Sequence, residues 1–129
     1  MKQYELVILV DDNETAIFLN KDIIEEECRD AKILSYTNSQ EFIDDCIENA
    51  KSWFSVPSLL LLDINMPGKF GFDVLDELED DFDEFDLLDI VLVTSSDLNR
   101  DIEVASRFHC INGYIIKPLT KEKLIEGLN

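Results

Sequence analysis

A small set of carboxylate, hydroxyl and ammonium side chains follows the apolar segments of this 129-residue chain. The set consists of Asp11, Asp12, Asp63, Thr94 and Lys117. Carboxylates that lie a few ångströms apart repel one another, and a bound cation relieves the repulsion. Because the ligands would all be oxygen atoms, the expected cation is a hard ion such as Mg²⁺. A carboxylate can act as the nucleophile in phosphoryl transfer, so the set predicts a magnesium-dependent phosphoryl-accepting site.

Five short apolar segments are expected to be the strands that position these side chains. They lie at Leu6–Val10, Lys32–Tyr36, 59–62, 90–93 and 114–116, and the second is the weakest. Three of them are continuous rather than alternating, which is typical of parallel strands that are covered on both faces. The candidate residues therefore follow the first, third, fourth and fifth strands.

Between the strands, apolar residues recur every three or four positions, which predicts helices. The pattern is carried by Ala16, Leu19 and Ile23; by Phe42, Cys46 and Ile47; by Phe72, Leu75 and Leu78; and by Ile102, Ala105 and Phe108. A fifth helix is expected over Lys121–Leu128. The predicted helix caps are Asn13, Ser39, Asp97 and Thr120. Alternating strands and helices predict right-handed crossovers and a parallel sheet between two helical layers.

The alternation of five strands and five helices predicts a flavodoxin-like (βα)5 three-layer sandwich with a five-stranded parallel sheet. In the strand order 2-1-3-4-5, strands 1 and 3 flank the switch point and strand 2 lies at an edge. Open sheets of this kind keep their chemistry at the carboxyl ends of the strands. Three carboxylates, one hydroxyl and one lysine should therefore meet in one shallow pocket. A single domain is expected over residues 1–129.

The composition excludes several classes of partner. The chain has 11 basic and 29 acidic residues and a net charge of −18, which repels nucleic acid and anionic membranes. The three cysteines are widely spaced, which fits neither a disulfide framework nor a zinc site and suits a reducing cytosol. The first apolar run has five residues, too few for a signal peptide or a membrane span. We therefore expect a cytoplasmic protein.

An acidic block covers residues 73–89, with ten carboxylates in seventeen residues. The favoured interpretation is a solvated helix face and loop, anchored by Leu75, Leu78, Phe82, Phe85 and Leu87. A docking surface for a basic partner is the alternative. Residues 1–99 have a net charge of −19, whereas residues 100–129 have a net charge of +1. The last third is thus the part of the chain that does not repel an acidic partner.

Four segments of the chain, taken together and in order, resemble the response-regulator receiver family, and the match covers nearly the whole sequence. The segments are Leu9-Val10-Asp11-Asp12-Asn13, Leu62-Asp63-Ile64-Asn65-Met66-Pro67-Gly68, Val93-Thr94-Ser95 and Gly113-Tyr114-Ile115-Ile116-Lys117-Pro118. The resemblance implies that Asp63 is the phosphoacceptor. It also implies that Mg²⁺ is held by Asp12, Asp63 and the backbone carbonyl of Asn65, with Asp11 acting on the ion mainly through water.

The same resemblance implies the remaining roles. Lys117 would face the phosphoryl group, Thr94 and Tyr114 would form the switch pair, and the Lys117–Pro118 peptide would be cis. The donor would be a sensor histidine kinase or a histidine phosphotransfer protein. No output domain is expected, so the signal would pass to a downstream protein or a second copy through the face of helix 4, strand 5 and helix 5. Beyond self-phosphorylation and slow self-dephosphorylation, no enzymatic activity is expected.

Two other function classes fit less well. A haloacid-dehalogenase-like phosphatase needs a second carboxylate two residues after the nucleophile, and this chain has Asn65 there. A flavodoxin-type electron carrier needs a Ser/Thr/Gly-rich phosphate loop after strand 1, where this chain has Asp11-Asp12-Asn13-Glu14. Within the receiver interpretation, a stand-alone signalling protein and a phosphorelay intermediate both remain open.

Overall fold

The five predicted strands form one parallel sheet in the order β2-β1-β3-β4-β5. The structure is a computed structural model, and it describes residues 3–64, 66, 71–94, 103 and 105–128. The strands are β1 (Leu6–Val10), β2 (Lys32–Tyr36), β3 (Ser58–Asp63), β4 (Leu88–Thr94) and β5 (Ile111–Ile116). The helices bounded within the described residues are α1 (Glu14–Glu27), α2 (Ser39–Trp53), α3 (Gly71–Phe82) and the C-terminal helix (Lys121–Leu128). The predicted flavodoxin-like order is confirmed.

Helices cover both faces of the sheet and create two hydrophobic cores. Ile8 of β1 packs in the core beneath α2 and α3, which also contains Phe42 and Leu75. The neighbouring residue Val7 points to the other core, where α1 supplies Ile24. Every residue of β1, β3 and β4 is buried, which explains why their sequences read as continuous apolar runs.

The two edge strands are less regular in sequence because part of each is exposed. β2 has exposed and partly buried residues and none that are fully buried, as its weak apolar pattern suggested. β5 begins three residues before the predicted segment, at Ile111. Asn112 and Gly113 are poor strand formers. Here the Asn112 side chain accepts a hydrogen bond from the Ile90 backbone N–H at 2.8 Å, next to a shift in register between Ile90 and Val91. The start of β5 therefore depends on a tertiary contact.

Two of the predicted apolar helix positions are wrong. Leu19 is 56% exposed and Ile47 is 67% exposed. In α1 the residues that pack against the sheet are Ile17, Ile23 and Ile24, and Leu19 lies roughly 200° around the helix from Ile17. A helix that is apolar on two sides does not reveal from sequence which side faces the sheet.

The helix caps agree with prediction at two of the described positions and differ at one. The side chain of Asn13 accepts from the Ala16 N–H at 3.0 Å, and Thr120 Oγ1 accepts from the Lys123 N–H at 3.1 Å. Ser39 is instead the first residue of α2, and the cap is Asn38. Asp97 lies outside the described residues. Most of the predicted fourth helix also lies outside the described residues. Its described members Glu103 and Ala105 are helical. None of the described helices has the length and apolar character to cross a membrane.

Candidate functional site

The first two candidate carboxylates follow β1 directly. The Asp11 N–H donates to the Tyr36 carbonyl of β2 at 3.0 Å, so the sheet still holds the backbone at this point. The buried Asp11 carboxylate accepts from the Asn13 N–H at 2.9 Å. Asn13 then caps α1, and the chain turns into the helix immediately after the site. Asp12 lies between them with its side chain exposed to solvent.

Asp63 is the last residue of β3, and its side chain is almost completely buried. The chain returns to this point at Gly71, the first residue of α3, whose N–H donates to the Ile64 carbonyl at 2.8 Å. A Cβ atom at position 71 would lie 2.6 Å from the Asp63 carbonyl oxygen and 2.8 Å from the Ile64 Cα. Glycine is therefore required for α3 to begin so close to Asp63.

Lys117 follows β5 and reaches both buried carboxylates. Its Nζ atom lies 3.0 Å from Asp11 Oδ2 and 3.2 Å from Asp63 Oδ2. Its backbone N–H donates to the Thr94 carbonyl at 2.6 Å, which extends the pairing of β4 and β5 by one residue. The Lys117–Pro118 peptide is cis, as predicted. The lysine thus connects the ends of three strands.

The charge of Lys117 is stabilised by this arrangement. Burial alone would lower the pKa of the ammonium group, but the hydrogen bonds and negative charges of Asp11 and Asp63 outweigh burial. The net result is a pKa above the ordinary lysine value. Lys117 is therefore a permanent cation at neutral pH.

Three carboxylates at this edge of the sheet could hold a metal ion. One oxygen from each of Asp11, Asp12 and Asp63 lies within 4.8 Å of the others. Two of these residues are buried and one is open to solvent, so an ion could bind to the protein on one side and keep water on the other. The all-oxygen donor set fits Mg²⁺, which takes few protein carboxylates and retains several waters. The fourth predicted ligand, the carbonyl of Asn65, lies outside the described residues.

The two predicted switch residues lie on neighbouring strands. Thr94 ends β4 and is fully buried, and Tyr114 of β5 is partly buried. Tyr114 of β5 pairs in register with Leu92 of β4. Thr94 lies two residues after Leu92 in β4. Because side chains alternate along a strand, Thr94 and Tyr114 lie on the same face of the sheet.

Sequence reasoning missed two residues that support the site. Gly71 allows the close approach of α3 to Asp63, and its sequence signal was a glycine at the predicted start of a helix. Lys123 donates from Nζ to the Ile116 carbonyl at 2.9 Å and to the Pro118 carbonyl at 3.2 Å. These contacts hold the turn that carries Lys117. No local pattern could have revealed them, since Lys123 resembles any lysine on an amphipathic helix.

The fold and the site together define an open α/β protein with an acidic pocket at the carboxyl edge of its sheet, where the possible metal ligands are all oxygen atoms. A family model described as the response regulator receiver domain matches residues 7–129. The polar-differentiation response regulator DivK of Brucella anthropi is 31% identical over 122 residues, which cover 95% of this chain and 91% of the relative. The chemotaxis protein CheY of Pseudomonas aeruginosa is 30% identical over the same length, with the same coverage.

A solved structure agrees with the sequence relatives. A two-component response regulator from Cytophaga hutchinsonii superimposes with a TM-score of 0.84 and 30% identity, covering 97% of this chain and 94% of that one. The chain belongs to the response regulator receiver family. Receiver domains are phosphoacceptor signalling proteins that bind Mg²⁺ in an acidic pocket and interact with histidine kinases and downstream targets.

Proposed function

We propose that this protein is a response regulator in which Asp63 accepts a phosphoryl group from the phosphohistidine of a sensor kinase or a phosphotransfer protein. The observation that carries the proposal is the position of Lys117, with Nζ about equally distant from Asp11 and Asp63. A cation between an acceptor carboxylate and a neighbouring carboxylate is the arrangement that phosphoryl transfer to an aspartate requires, because the incoming group adds negative charge.

The metal fits the same proposal. Asp11, Asp12 and Asp63, together with the Asn65 carbonyl, would hold Mg²⁺, and the ion would balance charge between the acceptor carboxylate and the phosphoryl oxygens. Asp11 would act on the ion mainly through water, since its own oxygens already accept from the Asn13 N–H and pair with Lys117. Asp12, the exposed member of the cluster, is then the carboxylate with most freedom to contact the ion.

The transfer itself needs one nucleophile and two stabilising groups. A carboxylate oxygen of Asp63 forms the new P–O bond, the P–N bond to the donor histidine breaks, and the electron pair stays on the imidazole nitrogen. Lys117 leaves its contact with the Asp63 carboxylate and donates hydrogen bonds to the phosphoryl oxygens, which then have the negative charge. The Thr94 hydroxyl donates to another phosphoryl oxygen. Water later hydrolyses the acyl phosphate slowly, so no other enzymatic activity is proposed.

The acceptor assignment is tested by mass. Incubation with acetyl phosphate and Mg²⁺ should add one phosphoryl group to the wild-type protein, and peptide mapping should place it on Asp63. Asp63→Asn should take up none, and Asp80→Asn, an exposed change in α3, should behave like the wild type. Equal uptake by Asp63→Asn would show that the acceptor lies elsewhere.

We further propose that phosphorylation is read out on the face formed by β5, the C-terminal helix and the segment before β5. Thr94 would move towards the phosphoryl group, and Tyr114, which lies on the same sheet face, would fill the space behind it. The partner would be a downstream protein or a second copy of the chain. DivK and CheY are scarcely longer than the matched region, which supports a stand-alone regulator.

Amide NMR spectra with and without beryllofluoride, a phosphoryl mimic, test the readout. Shifts are expected at Thr94, at Tyr114 and through residues 105–128, beyond those at the pocket. Residues 40–53 of α2 serve as the internal control and should change little. Shifts confined to the residues around Asp63 would contradict the proposed face while leaving the acceptor assignment intact.

A further inference from the structure

A solvent-open groove lies between α2 and α3, with a volume of about 210 Å³. Both helices and the turn after α3 supply its apolar lining, which consists of Cys46, Ile47, Ala50, Leu78 and Phe85. Cys46 and Leu78 are almost completely buried and form the floor, whereas Ile47 stands at the side and is 67% exposed. A large aliphatic side chain next to an open apolar groove gains free energy when a partner covers it.

The charges around the groove are almost all negative. Glu48, Asp81 and Glu84 line it together with Lys51. The elements behind them continue the pattern, since α2 has four acidic residues and one basic residue and α3 has six acidic residues and none that are basic. This helical layer therefore presents an apolar strip inside a negative field.

The floor of the groove is uncharged. Burial, with the Asp81 carboxylate as a second contribution, raises the pKa of the Cys46 thiol to about 12. The thiol is thus protonated at neutral pH and behaves as a small apolar group.

We propose that the groove between α2 and α3 binds a basic amphipathic helix of a partner protein. The apolar side of that helix would cover Ile47 and enter the groove, and its lysine or arginine side chains would face Glu48, Asp81 and Glu84. Charge complementarity selects this occupant. A second copy that met this groove with its own α2 and α3 would bring the same acidic residues and be repelled, and nucleic acid would be repelled and has no apolar face. The groove shares no residue with the proposed phosphorylation site, so the inference does not rest on the role of Asp63.

The test uses a synthetic peptide of about 18 residues with leucines on one helical face and lysines elsewhere. Two controls have the same length: a scrambled peptide with its leucines spread around the helix, and a peptide with glutamate in place of lysine. Fluorescence anisotropy should show saturable binding of the basic amphipathic peptide, weakened as salt increases. The scrambled peptide should bind at least about tenfold more weakly, because it cannot present one apolar face.

Two matched variants separate the apolar contact from the charge. Ile47→Glu adds a negative charge but removes the apolar side chain, and it should weaken the basic peptide about tenfold. Leu19→Glu makes the same kind of change at an exposed apolar residue of α1, and it should leave the affinity unchanged. Uptake of phosphoryl from acetyl phosphate by Ile47→Glu, equal to that of the wild type, checks that the variant is folded. Glu84→Lys should also weaken binding.

Several results would overturn the inference. Binding that is equal or tighter in Ile47→Glu, or equal for the scrambled peptide, would show attraction to the acidic surface without use of the groove. Loss of affinity in Leu19→Glu but not in Ile47→Glu would move the contact to α1. Dimerisation of the wild-type chain in sedimentation experiments, abolished by Ile47→Glu, would identify a second copy as the occupant.

Discussion

The pocket proposed for phosphorylation and the acidic helix α3 are both rich in carboxylates, yet they differ in burial and in backbone support. In the pocket, Asp11 and Asp63 are buried at the ends of central strands and share Lys117 as their cation. In α3, five of the six acidic residues are exposed along one helix. Carboxylates that water solvates cost little free energy, whereas buried ones need a cation. Charge density alone therefore does not identify a site, because burial and a shared counter-charge are also needed.

The comparison predicts its largest effect at Asp12. Asp12→Ala removes the exposed member of the cluster and should lower Mg²⁺ affinity by at least about tenfold and abolish phosphorylation by acetyl phosphate. Asp76→Ala, an exposed change in α3, should alter neither. The stability of apo Asp12→Ala should stay the same or rise, since one repelling charge is gone. Titration with Mg²⁺ and thermal unfolding would measure both effects. An equal loss of affinity in Asp76→Ala would abolish the distinction between the two regions.

A smaller effect is expected when the cation of the pocket is removed. Lys117→Met keeps the aliphatic stem but leaves Asp11 and Asp63 without their counter-charge, so the free energy of unfolding should fall by about 1–3 kcal/mol. Added Mg²⁺ should recover part of that loss. Lys121→Met provides the control, because Lys121 is exposed and its pair with Glu27 at 3.2 Å should contribute little, so this change should alter stability much less than Lys117→Met does. Urea unfolding with and without Mg²⁺ would measure the differences.

The pH dependence of that stability difference follows from the raised pKa of Lys117. A lysine whose pKa is raised by folding stabilises the protein fully below its unfolded pKa, and the contribution is lost as pH rises through the folded pKa. The difference in the free energy of unfolding between wild type and Lys117→Met should therefore stay constant from neutral pH to about pH 10 and decrease above it. A gap that closes near neutral pH would show that the pocket lowers the pKa of the lysine.

At the two glycines, an effect no larger than that of Lys117→Met is expected, and it should differ between them. Gly71→Ala should lower the free energy of unfolding by about 1–3 kcal/mol and slow phosphorylation, because the new methyl group meets backbone atoms of Asp63 and Ile64. Gly127→Ala meets only the end of the Ile115 side chain, at 3.1–3.2 Å, and alanine favours the helix. Its stability should therefore change less. Chemical unfolding and the acetyl phosphate assay would compare the two variants, and a larger loss in Gly127→Ala would contradict this account.

The sequence by itself determined the sheet and the candidate residues at its edge. β1 and the C-terminal helix have the predicted bounds because strong local patterns define them, with five apolar residues in one and the Thr120 cap before the other. The regular alternation of strands and helices left few topologies open, and the flavodoxin-like order assumed among them is the one that the sheet has. The acidic and basic residues at the strand ends could be identified because parallel strands end at a common edge.

Only the tertiary structure decided which helix faces are buried, where β5 begins and how close the candidate side chains lie. Leu19 and Ile47 are apolar but exposed, because each helix can place one strip against the sheet. The first residues of β5 pair with β4 through the Asn112 side chain, a contact between residues far apart in sequence. Lys117 contacts Asp11 and Asp63, which precede it by about a hundred and about fifty residues in the sequence. Gly71 is required because α3 begins against the backbone of Asp63 and Ile64. Such contacts are absent from local sequence patterns, because they arise when the whole sheet assembles.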